Sequence, residues 1–217
     1  MKTDSQLQQD VHAELQWEPA VHAARIGVQA KDGVVTLAGQ VDTYLEKWNA
    51  ERAAQRVPGV TALASDLQVQ LTSLGRRADG DIAQSVANVL AWSAALPADA
   101  IQVVVEGGWV TLSGSVDWQY QRQAAIDSVR LLFGVTGVSN DISIRPKLQA
   151  APVQSEIEAA LQRTSLADAK AISVAVHGSD VTLSGHVRNW AERATATQSA
   201  WGTPGVRNVV DMLTLAA

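Results

Sequence analysis

The sequence predicts an α+β protein built from three tandem copies of one αββαβ unit. A segment of β-branched and small residues at 34–41 recurs at 109–116 and 180–187, after shifts of 75 and then 71 residues. An apolar stripe at helical spacing precedes each copy, and alternating apolar residues flank it as in strands. Because the same two shifts align all of these features, the chain is a triplicated unit of about 70 residues.

Each unit begins with an amphipathic helix. Leu7, Val11 and Leu15 recur every fourth residue, which places them on one side of a helix. The other two units have the same stripe at Ile82, Val86, Leu90 and at Val153, Ile157, Leu161. Trp17 and Trp92 follow this helix in the first two units. Their position predicts that the two rings seal the end of each small core.

Two strands joined by a tight turn follow the helix. Alternating apolar residues predict the first strand from Ile26 and the second over residues 35–41. A short glycine-containing turn separates them in every unit, at residues 31–33, 106–108 and 177–179. Turns of this length between two strands are typical of β-hairpins.

A glycine recurs inside the second strand of every unit, at Gly39, Gly114 and Gly185. Glycine weakens a strand interior, so its recurrence predicts a structural role there. We expect a bulge or a close backbone approach, with a helix as the approaching element.

A second helix and a last strand complete each unit. Thr43 with Glu46, and Asn189 with Glu192, have the spacing of a capping box, and Asp117 is the expected N-cap of the middle unit. A glycine follows each helix, at Gly59, Gly134 and Gly205, and the last strands are predicted at 63–71, 138–144 and 209–215. Each unit is then a three-stranded mixed sheet with two helices on one face, and its strand order stays open.

The sequence predicts three domains joined by short linkers. The domains are residues 1–73, 81–146 and 153–217, and the linkers are residues 74–80 and 147–152. The linker regions contain the glycine, aspartate and proline residues that typically interrupt regular structure.

Composition and charge exclude several classes of protein. The 217 residues include no cysteine, which excludes disulfides, thiolate metal sites and cysteine nucleophiles. The net charge of −5 argues against a nucleic-acid partner. No apolar run reaches the roughly 18 residues that a membrane span needs, and no secretory signal is visible. The sequence therefore predicts a cytoplasmic protein.

No catalytic motif is visible in the sequence. The four histidines do not have metal-ligand spacing, and neither a nucleophile elbow nor a phosphate-binding glycine loop is present. Asp66, Asp141 and Asp211 recur once in each unit, which favours backbone capping over paired acid–base chemistry. We expect a protein that is not an enzyme and that carries no metal or other cofactor.

Tryptophan is the unusual residue of this chain, with seven Trp against two Tyr and one Phe. Trp109 follows a hairpin turn, and Trp118 and Trp190 lie where the second helix begins. An indole ring with a polar N–H suits an interface with headgroups or protein, and packing between domains is the alternative. Arg76 and Arg77 are the candidate cationic cluster for an anionic surface, and solvated linker charge is the alternative.

The repeated motifs resemble those of the BON domain (bacterial OsmY and nodulation) family. The hallmark V-x-L-x-G strand occurs as Val35–Gly39, Val110–Gly114 and Val181–Gly185. The second hallmark is a glycine-valine step before the last strand, and it follows in every unit. The middle unit departs by having Phe133 where the others have proline. The resemblance covers nearly the whole chain and implies a bacterial triple-BON protein.

The resemblance implies binding rather than catalysis. The family is associated with osmotic and other stress, its proposed activity is phospholipid binding, and no catalytic residues define it. One hypothesis is a non-enzymatic protein that contacts phospholipid surfaces or envelope proteins. The other is a protein–protein assembly module that forms a homo-oligomer or scaffold. The best-known members are periplasmic, which makes the periplasm the alternative location.

Overall fold

The structure is a computed structural model that describes residues 2–73, 75–145, 157, 159, 172–203 and 206–215. Its α-helices in these residues are α1 Asp4–Trp17, α2 Tyr44–Arg56, α3 Asp79–Trp92, α4 Gln119–Arg130 and α5 Trp190–Trp201. Its strands are β1 Ile26–Lys31, β2 Val34–Val41, β3 Ala62–Val69, β4 Ile101–Glu106, β5 Trp109–Val116, β6 Gly137–Ile144, β7 Ile172–His177, β8 Asp180–Val187 and β9 Asn208–Leu215. A 3₁₀ turn, Ala23–Arg25, precedes β1. The predicted α+β class is confirmed.

Three three-stranded sheets have the same strand order, namely β1-β2-β3, β4-β5-β6 and β7-β8-β9. The second strand is central and antiparallel to the first, and β2 and β8 pair in parallel with β3 and β9. The register is also the same, since the isoleucine that opens each first strand lies opposite the recurrent glycine of the second. This order answers the question that the sequence left open.

One face of each sheet is buried under the helices. In the first repeat the stripe Leu7, Val11 and Leu15 is buried against Val35 and Leu37 of β2. The small residues Ala50, Ala53 and Ala54 of α2 are fully buried in the same core. The third repeat has the same core, around Val181, Leu183, Ala196 and Ala200. Its predicted first helix lies outside the described residues, except for Ile157 and Ala159, which are helical.

The recurrent strand glycines stand where a neighbouring backbone comes close. Gly39 has φ +145°, and a Cβ there would overlap the carbonyl oxygen of Arg25. Gly114 has φ +127°, and the carbonyl oxygen of Ala100 takes the same place. The predicted close approach is therefore present at both glycines. The approaching group is the residue before the neighbouring strand, however, and not an α-helix. Gly185 has a φ of +122°.

The glycines after the second helix also have positive φ, at +105° for Gly59 and +90° for Gly134. L-residues other than Asn and Asp rarely adopt this conformation, which explains the glycine after α2 and the glycine after α4. Gly205 lies outside the described residues.

The predicted hairpin turns are confirmed, and an aspartate of the first helix holds two of them. The turns of the first two repeats have two residues, both with positive φ, which suits the twist of a β-hairpin. Asp4 accepts a hydrogen bond from the backbone N–H of Asp32 at 2.9 Å. Its equivalent, Asp79, accepts two, from Gly107 and Gly108, both at 2.9 Å. The sequence alone did not predict this role for the aspartate.

The second helix has the predicted caps in the first and third repeats. The Thr43 hydroxyl accepts from the Glu46 N–H at 3.1 Å, and the Asn189 side chain accepts from the Glu192 N–H at 2.9 Å. Each glutamate in turn accepts from the amide of the residue before the cap, at 2.8 Å in both repeats, and not from the amide of the cap itself as in the predicted capping box.

The N-cap predicted for the middle repeat is wrong by one residue. Because α4 begins at Gln119, Trp118 and not Asp117 precedes the helix. The Gln121 side chain accepts from the amides of both Asp117 and Trp118, at 3.0 and 3.1 Å. The middle repeat therefore builds this helix start with a neutral amide in place of a carboxylate.

The chain divides into two compact units. One comprises residues 1–114 with 124–141, and the other comprises residues 115–123 with 142–217. The helix α3 begins at Asp79, inside the segment 74–80 that the sequence assigns to a linker. The predicted domain bounds remain predictions. None of the described helices combines the length and the apolar character needed to cross a bilayer.

Candidate functional site

The most exposed aromatic side chains lie at one repeated position. Trp17 is 84% exposed and Trp92 is 85% exposed, and each is the last residue of the first helix of its repeat. The prediction that these rings seal the core is therefore wrong. Two large apolar rings at the same place in consecutive repeats mark this helix end as a candidate contact surface.

Helix geometry explains the exposure. Successive residues turn by about 100°, so Trp17 lies roughly 200° around α1 from Leu15. Leu15 belongs to the buried stripe, and the ring therefore faces away from the core. The relation of Trp92 to Leu90 is the same. This signal was present in the sequence, in the spacing between each tryptophan and the stripe.

Trp109, one of the predicted contact residues, is 49% exposed. Its indole Nε1 donates to the hydroxyl of Ser139 at 2.8 Å. The ring lies over Gly137 of β6, where a Cβ would overlap it. Trp109 is thus fixed flat on the sheet, with about half of its surface available for contact.

The other two predicted contact tryptophans are more buried. Trp118 and Trp190 are both partly buried, and the guanidinium of Arg193 lies 5.2 Å from the centre of the Trp190 ring. They offer less open apolar surface than Trp109, and much less than the rings that end the first helices.

The predicted cationic pair lies in a local turn before α3. Arg76 and Arg77 are both exposed. The N–H of Arg76 donates to the carbonyl of Thr72 at 3.1 Å, and the Arg77 guanidinium donates to the carbonyl of Arg76 at 2.8 Å. Local hydrogen bonds therefore hold this turn, and both arginine side chains are exposed.

The structure brings together one possible metal-ligand set that the sequence analysis missed. Ligand atoms of His22, Asp42 and Glu46 lie within 4.8 Å of one another. The imidazole Nδ1 of His22 is 2.9 Å from Glu46, and the Asp42 carboxylate accepts from Arg25 at 2.7 Å. It is the one such cluster among the described residues.

The hydrogen bonds of this cluster join the start of α2 to the segment before β1. The two Glu46 carboxylate oxygens accept the backbone N–H groups of His22 and Asp42, both at 2.8 Å. In the other repeats Gln121 and Glu192 accept the amide equivalent to that of Asp42. Because a neutral glutamine makes this bond in the middle repeat, the Asp42 bond is explained as capping, while the bonds to His22 tie the segment before β1 to α2.

The BON domain matches the chain three times, over residues 3–70, 78–146 and 149–217. The chain is also similar to the osmotically-inducible protein Y of Escherichia coli (strain K12). The two are 31% identical over 147 residues, which is 65% of this chain and 73% of that protein.

Similarity to solved structures is weaker. CdsD, a structural protein of the type III secretion system of Chlamydia trachomatis, is 16% identical with a TM-score of 0.27, over 96% of this chain and 91% of that one. The PrgH periplasmic domain is 15% identical with a TM-score of 0.24, over 89% and 96%. TM-scores this low carry no argument about this chain. The three sequence matches cover most of its length, and the chain belongs to the BON domain family.

Proposed function

We propose that this chain is a non-enzymatic binding protein that contacts phospholipid surfaces or envelope proteins during osmotic or other stress. The single observation that carries the proposal is the exposure of Trp17 and Trp92 at one repeated helix end. The stress context rests on family membership and on the similarity to an osmotically inducible protein. A cytoplasmic location, with the periplasm as its alternative, remains a prediction.

Burial of the rings supplies the driving force in this proposal. A tryptophan side chain buries about 150–250 Å² when fully covered, which is worth roughly 4–6 kcal/mol at about 25 cal/mol per Å². Trp is also enriched at membrane interfaces, where its N–H meets the headgroups. The net charge of −5 gives no general attraction to anionic lipid. Arg76 and Arg77 would each contribute about 1 kcal/mol at such a surface.

Co-sedimentation with vesicles tests the proposal. The full chain should bind vesicles of phosphatidylcholine, with or without phosphatidylglycerol, and should lose little affinity as salt is raised. Trp17→Ala combined with Trp92→Ala should weaken binding at least tenfold. The control is Tyr120→Ala, which removes a 60% exposed aromatic ring outside this pair and should bind normally. Equal binding by the double variant, or no binding by the parent chain, would refute the lipid proposal.

An assembly module is the second candidate function. The edge strand β9 exposes Val210 by 43% and Met212 by 61%. Edge strands with exposed apolar residues are templates for pairing with another chain, and lysine on such a strand opposes it. Light scattering over a concentration range should then show a homo-oligomer that Met212→Lys dissociates. A monomer at every concentration would exclude self-assembly.

A further inference from the structure

The middle repeat has an open groove between α3 and β4, with a volume of about 570 Å³. Small side chains of α3, namely Ala83, Ala87 and Ala91, line one wall. Ile101 and Val103 of β4 line the other. Because β4 lies at the edge of its sheet, the second wall includes a strand edge that has no neighbour within that sheet.

Two positions that are buried in the cores of the other repeats are partly exposed in this groove. Ile101 and Val103 are only partly buried. Their equivalents are Ile26 at 4% and Val28 at 8% exposure in the first repeat, and Ile172 at 8% and Val174 at 6% in the third. The strand register is the same in all three hairpins. The difference therefore comes from what covers the first strand and not from its pairing.

One side chain accounts for part of the opening. In the first repeat, the Gln8 amide donates to the carbonyl of Val28 at 2.7 Å. The equivalent residue of the middle repeat is Ala83, whose methyl group is too short to reach β4. Across the described residues, no side chain donates to the carbonyl of Val103. The groove thus combines apolar walls with a backbone acceptor.

Among the described residues, the one charged residue that lines the groove is acidic. Residues 78–114 contain no Lys, Arg or His, and their carboxylates are Asp79, Asp81, Asp99 and Glu106. Asp99 lines the groove and is exposed, while Asp79 is engaged by the hairpin turn. Such a surface complements a cationic ligand and disfavours an anionic headgroup.

We propose that this groove binds an extended basic peptide segment, which adds to β4 as a strand. Strand addition satisfies backbone groups of the sheet edge and places alternate side chains in pockets. Apolar side chains would enter between α3 and β4, while Lys or Arg would face the carboxylates. The helix wall from Gly80 to Ala91 is about 16 Å long at 1.5 Å per residue. That length accommodates about five strand residues at roughly 3.3 Å each.

Two short peptides test the charge and shape of the ligand. The probe is acetyl-Lys-Val-Lys-Val-Lys-amide with a fluorescent label, and its counterpart has Glu in place of Lys. Anisotropy titrations with the full chain should show at least tenfold tighter binding of the lysine peptide. Methylation of both valine amide nitrogens should abolish binding, because it removes strand donors. Equal affinity for the two charges, or for the methylated peptide, would overturn the proposal.

A variant that closes the groove tests its location. Ala83→Gln introduces the side chain that the first repeat has at this position, and it should weaken binding of the lysine peptide at least tenfold. The matched control, Ser85→Gln, adds the same side chain on the exposed side of α3 and should bind normally. Unchanged affinity in Ala83→Gln, or no binding of the lysine peptide by the parent chain up to about 1 mM, would refute the groove as a peptide site.

The vesicle assay separates this inference from the proposed function, since the two use different side chains. Ala83→Gln should co-sediment with vesicles as the parent chain does. The double variant of Trp17 and Trp92 should still bind the lysine peptide. If Ala83→Gln lost vesicle binding and kept peptide binding, the groove would be a lipid site and the peptide proposal would be wrong.

Discussion

A methyl group added at Gly39 would collide with the backbone before β1. The glycine has φ +145°, and the carbonyl oxygen of Arg25 occupies the place of a Cβ. Since neither backbone can move without breaking the β1–β2 register, Gly39→Ala should lower the free energy of unfolding by about 2 kcal/mol or more. Urea denaturation of the full chain measures the change.

Gly27→Ala is the matched control for this substitution. Gly27 lies on the neighbouring strand β1, has no positive φ, and offers a Cβ ordinary contact with the carbonyl oxygen of Ala38 at 3.5 Å. The expected change is within about 1 kcal/mol. Equal losses in the two variants would show that any side chain in this hairpin is harmful, and would remove the special role of Gly39.

The buried carboxylate of Glu46 is expected to matter for its oxygens more than for its charge. It is 5% exposed and accepts backbone N–H groups on both oxygens. Glu46→Ala should therefore cost about 1–3 kcal/mol, because it leaves two partly buried backbone donors without a partner. Glu46→Gln should cost less, as Gln121 performs this function in the middle repeat. Urea denaturation of both variants tests the ranking, and a reversed order would contradict the capping interpretation.

At the scale of the element, the stability contributed by the N-terminal turn of α5 should depend on pH. A hydrogen bond from the Arg188 guanidinium, at 2.8 Å, lowers the pKa of Glu192 below its ordinary value of 4.5. The charged form is thus favoured in the folded state. Its contribution to stability is complete above the unfolded pKa and is lost as the pH falls through the folded pKa.

The prediction concerns the unfolding free energy of the full chain between pH 7 and pH 3. The parent chain should lose more stability over the acid end of this range than Glu192→Gln, because the variant has no proton to gain at this position. Chemical denaturation at several pH values gives both curves. Parallel curves would mean that the Arg188 interaction adds no pH-dependent stability.

Local elements could be predicted from the sequence because their signals are local. Turn glycines, helix caps and apolar spacing are set by residues within a few positions, and the hairpins and the caps at Thr43 and Asn189 were confirmed. The strand order was not predictable in this way. It requires β2 to pair in parallel with β3 across the whole of α2, which no local pattern encodes.

The candidate sites were less predictable than the fold. The exposure of Trp17 could have been derived from its angle to Leu15 on the helix. The groove could not have been derived in this way. It depends on a hydrogen bond from Gln8 to the carbonyl of Val28 in the first repeat, and Ala83 cannot make the equivalent bond in the middle repeat. Whether a side chain contacts another element depends on the tertiary structure. Comparison of the repeated sequences shows only that equivalent positions have different residues.

At the scale of the whole molecule, the first compact unit contains a contact between two repeats. Trp48 of α2 belongs to the first repeat and Arg130 of α4 to the second, and the guanidinium lies 3.9 Å from the centre of the ring. Arg130 is only 8% exposed and also pairs with Asp127 at 2.8 Å. Burial strengthens a cation–π interaction, so this contact should couple the folding of the two repeats.

A double-mutant cycle on Trp48→Ala and Arg130→Ala measures that coupling. The interaction energy should be about 1 kcal/mol or more, because the pair is desolvated. The control cycle uses Arg52, which is exposed and lies 4.7 Å from the same ring within the same helix, and should give about 0.5 kcal/mol. Both cycles use urea unfolding of the full chain. If the Arg130 cycle were additive, the two repeats would be adjacent without stabilising each other, and the middle repeat would have to hold its partly uncovered core through its own contacts alone.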